Sequence, residues 1–405
     1  MKLRERVPAR ARAWQPTVVL LVTLEAIAFI ACSVSDDMRK DDTGPRGGDP
    51  TQVRVVRNSG EPGYSACAVI GAEPLTTIGG PADGAADTPP LFRVRGATVL
   101  PNGDIVALNA GTQQLLYFSS DGQYRHAVGR AGAGPGEFRD PTWLGRGAGD
   151  TLFVWDDRLQ RLSILAGDGE FLRSHQVTGQ DADHLPMAVR GRFSDGSFLL
   201  VPGPVARMAD GDGVTRSPVA YKRYDPASDR VSHLADGLSI ETVVGDGVVY
   251  VLPFGRREIV LPIDDVLLVT DIGDPSMRSY DLAGRLVRRV EWESDPQPVT
   301  ARDKREYMAR SGKWLPADGV VFASERPRFS SIFVDQRRWV WVREHAAAAD
   351  GPPDWLVFDQ DGRLLCRVAM PSTITVLEVG RDYMLGLHIG SDGEESVVSL
   401  PLVVP

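Results

Sequence analysis

Between Val128 and Pro141 the chain reads VGRAGAGPGEFRDP, a glycine- and proline-rich crossover flanked by two copies of one pattern. Before it stands LLYFSSDGQYRHAVG, and after it DTLFVWDDRLQRLSILAGDGEFLRSHQV. Both copies carry an apolar strand, a tight Asp-Gly turn and a further strand. Consecutive copies of one β-rich unit predict a repeat architecture, because such a unit can bury its faces only against its neighbours. The 42 Gly and 29 Pro in 405 residues agree, since they favour many short strands and frequent turns over long helices.

From about residue 73 the pattern recurs. A first strand ends in a turn (FRVRGATVLPNGD), a second is apolar (IVALN), a third ends in a hairpin (QLLYFSSDG) and a fourth leads outward (QYRHAVG). Later copies include RGRFSDGSFLLVPG with YKRYDPASDRVSHL, DDVLLVTD with MRSYDLAGRLVRRVEW, and FVDQRRWVWVREH with DWLVFDQDGRLLCRVAMP. The turns Asp121-Gly122, Asp168-Gly169, Ala283-Gly284 and Asp361-Gly362 mark equivalent hairpins between third and fourth strands. Six such units predict an all-β fold over residues 73–405. It is a six-bladed β-propeller with four-stranded antiparallel blades. The last copy, from VLEVGRDYMLGLHIG onward, lacks a fourth strand, and Leu75–Gly80 (LTTIGG) is expected to supply it and close the ring. Residues 299–312, VTARDKREYMARSG, break the β pattern and read either as a short helix ending at Gly312 or as an irregular connector. They belong to an expected insertion near residues 295–325.

The N-terminus has a different character. Residues 2–12 are basic, Thr17 to Ala31 are mostly apolar, and Cys32 follows. A basic stretch before a short apolar run is an export signal, too short to span a membrane comfortably. Residues 1–31 are therefore assigned as a signal peptide. Residues 32–72, rich in Asp, Gly, Arg and Pro at their start, are expected to form a flexible tether. Phe29-Ile30-Ala31-Cys32 resembles a bacterial lipobox, and the resemblance implies lipid attachment at Cys32. A cleaved soluble form and an uncleaved anchor are the alternatives. A lipoprotein without Asp after the cysteine is expected at the outer membrane of a two-membrane cell. A secreted or periplasmic location is the alternative. With Cys32 lipidated, Cys67 and Cys366 remain as an even pair, either bridged in an oxidising compartment or as two separate thiols.

WDDRLQRLSILAGDGEF (Trp155 to Phe171) and GRAGAGPGEFRDP (Gly129 to Pro141) resemble NHL-repeat propellers, and the chain as a whole is similar to exported bacterial six-bladed propeller proteins. The resemblance implies the fold. It says less about function, because propellers host enzymes, binders and scaffolds alike.

Charge and motifs narrow the function classes. The net charge is -9, and residues 1–31 carry five basic against two acidic side chains, so the body is near -12. An acidic body excludes a nucleic-acid footprint. Gly129–Phe138 lacks the Lys-Ser/Thr of a phosphate loop, and the chain has no GxSxG elbow, no HxxxH or HExxH pair and no CxxC. No catalytic residue is nominated. Propellers of the gluconolactonase and regucalcin type hold a calcium ion on the axis. By that resemblance Asn109, Asp156, Asp271, Glu344 and His388, at the ends of second strands, are candidate ligands for Ca²⁺ at the channel mouth. The same residue types at strand ends also serve turns. Trp339 and Trp341 alternate along RRWVWVREH and, with Arg343, form either packing between blades or an exposed platform for a partner. No cofactor is assured. The expected function is a lipid-anchored, non-catalytic binding module for an envelope protein, peptide or glycan, touching the membrane only through its lipid. The alternative is a Ca²⁺-dependent lactonase-like hydrolase.

Overall fold

The second strands of the repeat units are apolar along most of their length, and each of their two faces meets a different core. Ile105 and Ala107 point into one cluster of buried side chains, and Val106 and Leu108 into the next. Leu152 and Val154 share the latter cluster, whereas Phe153 and Trp155 turn to a third. A strand buried on both faces has no reason to alternate in polarity. The computed structural model describes residues 53–60, 67–79, 89–177, 186–203, 213–245, 248–311, 315, 319–345, 354–371 and 373–404. The signal, Cys32 and Gly312 lie outside these. No helix among the described residues is long and apolar enough to cross a membrane.

The described strands form mostly antiparallel four-stranded sheets. The first contains Val94–Val99, Ile105–Asn109, Gln114–Phe118 and Tyr124–Val128. The second contains Pro141–Arg146, Leu152–Asp156, Arg161–Leu165 and Phe171–Gln176. The third contains Met187–Arg192, Phe198–Pro202, Pro218–Asp225 and Arg230–Leu238. Glu258–Ile263, Val266–Asp271, Ser276–Asp281 and Leu286–Trp292 make the fourth. Phe329–Val334, Val340–Glu344, Asp354–Phe358 and Leu364–Ala369 make the fifth. The sixth takes Ile374–Val379, Tyr383–Ile389 and Glu395–Val403 from the C-terminus, with Thr76–Gly79 antiparallel to the last of these.

Apolar clusters fill the spaces between consecutive sheets. Leu377 and Leu385 of the sixth sheet pack with Ile105 and Phe118 of the first, so the succession returns to its start as a propeller-like ring. The third-to-fourth-strand hairpins of the first, second, fourth and fifth sheets place Gly122, Gly169, Gly284 and Gly362 at positive φ. At Gly169 a Cβ would also lie 2.5 Å from the Val128 side chain, so only glycine fits.

The structure corrects the expected tether. Arg54–Asn58 is a strand, parallel to Leu286–Trp292 on the outer edge of the fourth sheet. Val69–Ile70 pairs with Leu402 and Val403. The Asn58 side chain donates to the Glu291 and Gly362 carbonyls and accepts from the Leu364 N–H. Cys67 is disulfide-bonded to Cys366 of the fifth sheet, with Cα atoms 5.9 Å apart.

A second departure is a small sheet of Gly213–Thr215, Thr242–Gly245 and Val248–Val251. It packs with Leu315, Val320 and Ala323 through Val243, Tyr250 and Leu252. The helix Ala301–Ser311 lies alongside, with the Tyr307 and Phe254 rings 5.5 Å apart. A capping box starts it. The Thr300 hydroxyl accepts from the Asp303 N–H, and the Asp303 carboxylate accepts from the Thr300 N–H.

Candidate functional site

The strand-end residues singled out by sequence share one end of the ring. In register, Asn109 stands opposite Val94, Asp156 opposite Pro141, Asp271 opposite Glu258, Glu344 opposite Phe329 and His388 opposite Ile374. Each is thus level with the start of its sheet's first strand. Asn109 and Asp156 turn their polar atoms to their own loops. Asn109 accepts from the Phe92 N–H at 2.7 Å and donates to the Pro90 carbonyl and the Thr112 hydroxyl. Asp156, fully buried, accepts from the backbone N–H groups of Arg139, Asp140 and Leu159 at 2.6, 3.1 and 2.8 Å. Glu344 pairs with Arg367 at 2.7 Å, and His388 is half-buried. Among the described residues no three His, Cys, Asp or Glu side chains stand together as a metal-holding group. At Asp156 the carboxylate's lone pairs already meet amide hydrogens, so they turn to Ca²⁺ only by breaking that loop.

Asp271 fastens segments flanking the small sheet to the ring. It accepts from Arg216, from Arg256 Nε at 3.1 Å and from the Gly273 N–H at 2.9 Å. Burial alone would raise its pKa, but the Gly273 amide and the two guanidiniums outweigh burial and hold it below 3.8. A carboxyl lowered by folding stabilises the fold above its unfolded-state pKa, and the contribution disappears as pH falls through the folded-state value. Asp271→Asn should therefore flatten part of the acid limb. The fall in urea midpoint between about pH 6 and about pH 3 should be smaller in the variant than in wild type. Equal falls would show that this pairing adds no stability.

Of the two readings of the tryptophans, packing between sheets holds for Trp341. Trp341 is 1% exposed and stacks on Phe333 at 5.5 Å in the core between the fifth and sixth sheets; half-buried Trp339 packs against the same core. The buried Asp335 carboxylate orders this turn, accepting from the Arg337 and Trp339 N–H groups at 2.8 Å and from Trp341 Nε1 at 3.1 Å. Arg343 is half-buried with no carboxylate partner among the described residues, and burial pushes its pKa down. It neighbours His345. Burial, then the charges of Arg326, Arg343 and Arg257, push that imidazole down to about 4 and keep it neutral at neutral pH.

Sequence reasoning missed His345 and Glu378. Glu378 interrupts the apolar first strand of the sixth sheet, and that lone charge was the available signal. It is buried, which raises its pKa, and it accepts from Tyr383. It lies near the end of its strand, opposite Leu385, and so away from the strand-end acids.

No known protein family and no curated protein matches the sequence. Solved structures with similar folds include a Bacteroides fragilis protein described as exported, at 10% identity, TM-score 0.48, covering 87% of this chain and 99% of that one. A member of the DUF4221 family from Bacteroides vulgatus has 11% identity, TM-score 0.47 and coverages of 84% and 99%. Regucalcin of Agrobacterium tumefaciens, described as calcium-binding, has 12% identity, TM-score 0.40 and coverages of 87% and 97%.

Proposed function

We propose that the chain is an exported six-bladed propeller, lipid-anchored through Cys32, that acts as a non-catalytic binding module in the cell envelope. One observation carries this reading. At the ring end with the strand-end acids, Asn109, Asp156, Asp271 and Glu344 hold loops or arginines in place. Side chains used in this way build a rigid, preorganised surface, and preorganisation lowers the ordering cost of binding. A calcium-dependent hydrolase would need several of the same oxygens turned toward the axis.

The anchor and the binding role are tested separately. Cys32→Ala should move the chain from the membrane fraction to the soluble one, and a variant that stays membrane-bound would rule out lipid attachment there. The mature chain should be retained by purified envelope material, and its melting temperature should not respond to EDTA or to restored Ca²⁺. A ligand bound only by the folded state raises the melting temperature by mass action. A Ca²⁺-specific rise would therefore overturn the metal-free reading in favour of the hydrolase. Failure to bind protein, peptidoglycan and polysaccharide fractions alike would remove the binding role.

A further inference from the structure

The glycine-rich crossover forms one wall of an open cleft of about 440 Å³ between the first and second sheets. Gln113, Gly132, Phe138, Arg139 and Arg158 line it. The wall is fixed from within. Arg130 pairs with Glu137 at 2.7 Å, the Glu137 carboxylate accepts from the Gly134 N–H at 2.7 Å, and Arg161 donates to the Ala133 and Glu137 carbonyls. The Gly132 N–H donates to the Phe138 carbonyl and the Phe138 N–H to the Arg130 carbonyl.

On the rim, Arg139 and Arg158 are exposed, and neither guanidinium has a carboxylate partner among the described residues. The neighbouring acids are engaged elsewhere. Asp140 pairs with Arg93 at 3.3 Å, Asp156 takes three backbone amides, and Glu137 takes Arg130. In a chain of net charge -9, two unopposed guanidiniums beside one cleft make a local site for an anion.

The surroundings favour one kind of ligand. Phe138 is 0% exposed and Ala131 is the one exposed apolar side chain of the lining, so the cleft offers little apolar seat for peptide side chains. The amides of Gly132, Gly134 and Phe138 donate within the loop, so they cannot cradle a phosphate. The volume falls in the range of small-molecule sites and exceeds what a single inorganic ion fills. Polar walls suit hydroxyls, and a planar guanidinium matches a planar carboxylate bidentately.

We propose that this cleft recognises an acidic saccharide, a sugar whose carboxylate is held by Arg139 and Arg158. The proposal deepens the binding-module reading and rests on it.

The test is calorimetric titration of the mature full chain with trigalacturonate. The neutral galactose trisaccharide, inorganic phosphate and hexaglutamate serve as controls. The wild type should bind trigalacturonate and not the neutral sugar. R139Q/R158Q should weaken that binding at least about tenfold, as loss of charge-assisted hydrogen bonds predicts, with an unchanged melt. Three results would overturn the proposal: no uronate binding by wild type, equal binding by R139Q/R158Q, or tighter binding of phosphate or hexaglutamate. Envelope retention separates the two claims. A chain that binds an envelope fraction equally well with and without R139Q/R158Q keeps its binding role and loses this cleft. A chain that binds no fraction loses both.

Discussion

Reducing the Cys67–Cys366 disulfide should lower the stability of the ring by about 3–5 kcal/mol, a larger effect than most single substitutions produce. The two cysteines are separated by 299 positions, so the bond removes a large loop-closure entropy from the unfolded chain. In the folded chain it joins the segment leading into Val69–Ile70, which lies on the sixth sheet, to the last strand of the fifth. Cys366 is fully buried among Val357, Trp341 and Met384, so the bond also pins two sheets across their shared core. The N-terminal strands pair with strands distant in sequence, and the bond holds the segment beside the Val69–Ile70 pairing. Urea unfolding with and without reductant measures the effect. Coincident midpoints would show that the bond constrains nothing the sheets do not already hold. Cys67→Ala/Cys366→Ala should behave like the reduced wild type, apart from a small cavity cost at position 366.

The ring was legible because its sheets have two buried faces and glycine hairpins. LFVWD and IVALN are apolar up to their last residue because neighbouring cores take alternate residues, and Asp168-Gly169 supplies the positive φ that its hairpin needs. Closure by Thr76–Gly79 was legible because the last unit was one strand short. Other parts depend on contacts that composition does not record. Arg54–Asn58 sits in a polar stretch, and its partner strand lies more than 200 residues away. Its contacts with Asp361 and Gly362 exist only once the fourth and fifth sheets are side by side. The small sheet is built from strands of three and four residues, too short for a periodic signal. Trp339 and Trp341 alternate equally well on a buried or an exposed face, and only the neighbouring Phe333 and Asp335 decide between them.

Asp156→Ala should destabilise the chain by about 3–4 kcal/mol, with or without calcium, because it strips the acceptor from three backbone amides around a fully buried carboxylate. Asp156→Asn should fall between the two, since one carboxamide oxygen can serve only part of the set and the NH₂ group opposes the rest. A metal ligand would behave in the opposite way. Its loss would matter little in EDTA and would abolish a calcium-dependent rise in melting temperature. A variant as stable as wild type in EDTA would therefore refute the structural role. The same carboxylate connects to the cleft. The amides it holds belong to Arg139 and its neighbour Asp140 on one loop, and to Leu159, next to Arg158, on the other. Asp156 is thus the positioning residue that sets the two rim guanidiniums relative to one another, although it lines no part of the cleft. Uronate affinity should fall in Asp156→Asn even under conditions where that variant is fully folded. The loss should be smaller than in R139Q/R158Q, because both charges remain and only their alignment is relaxed.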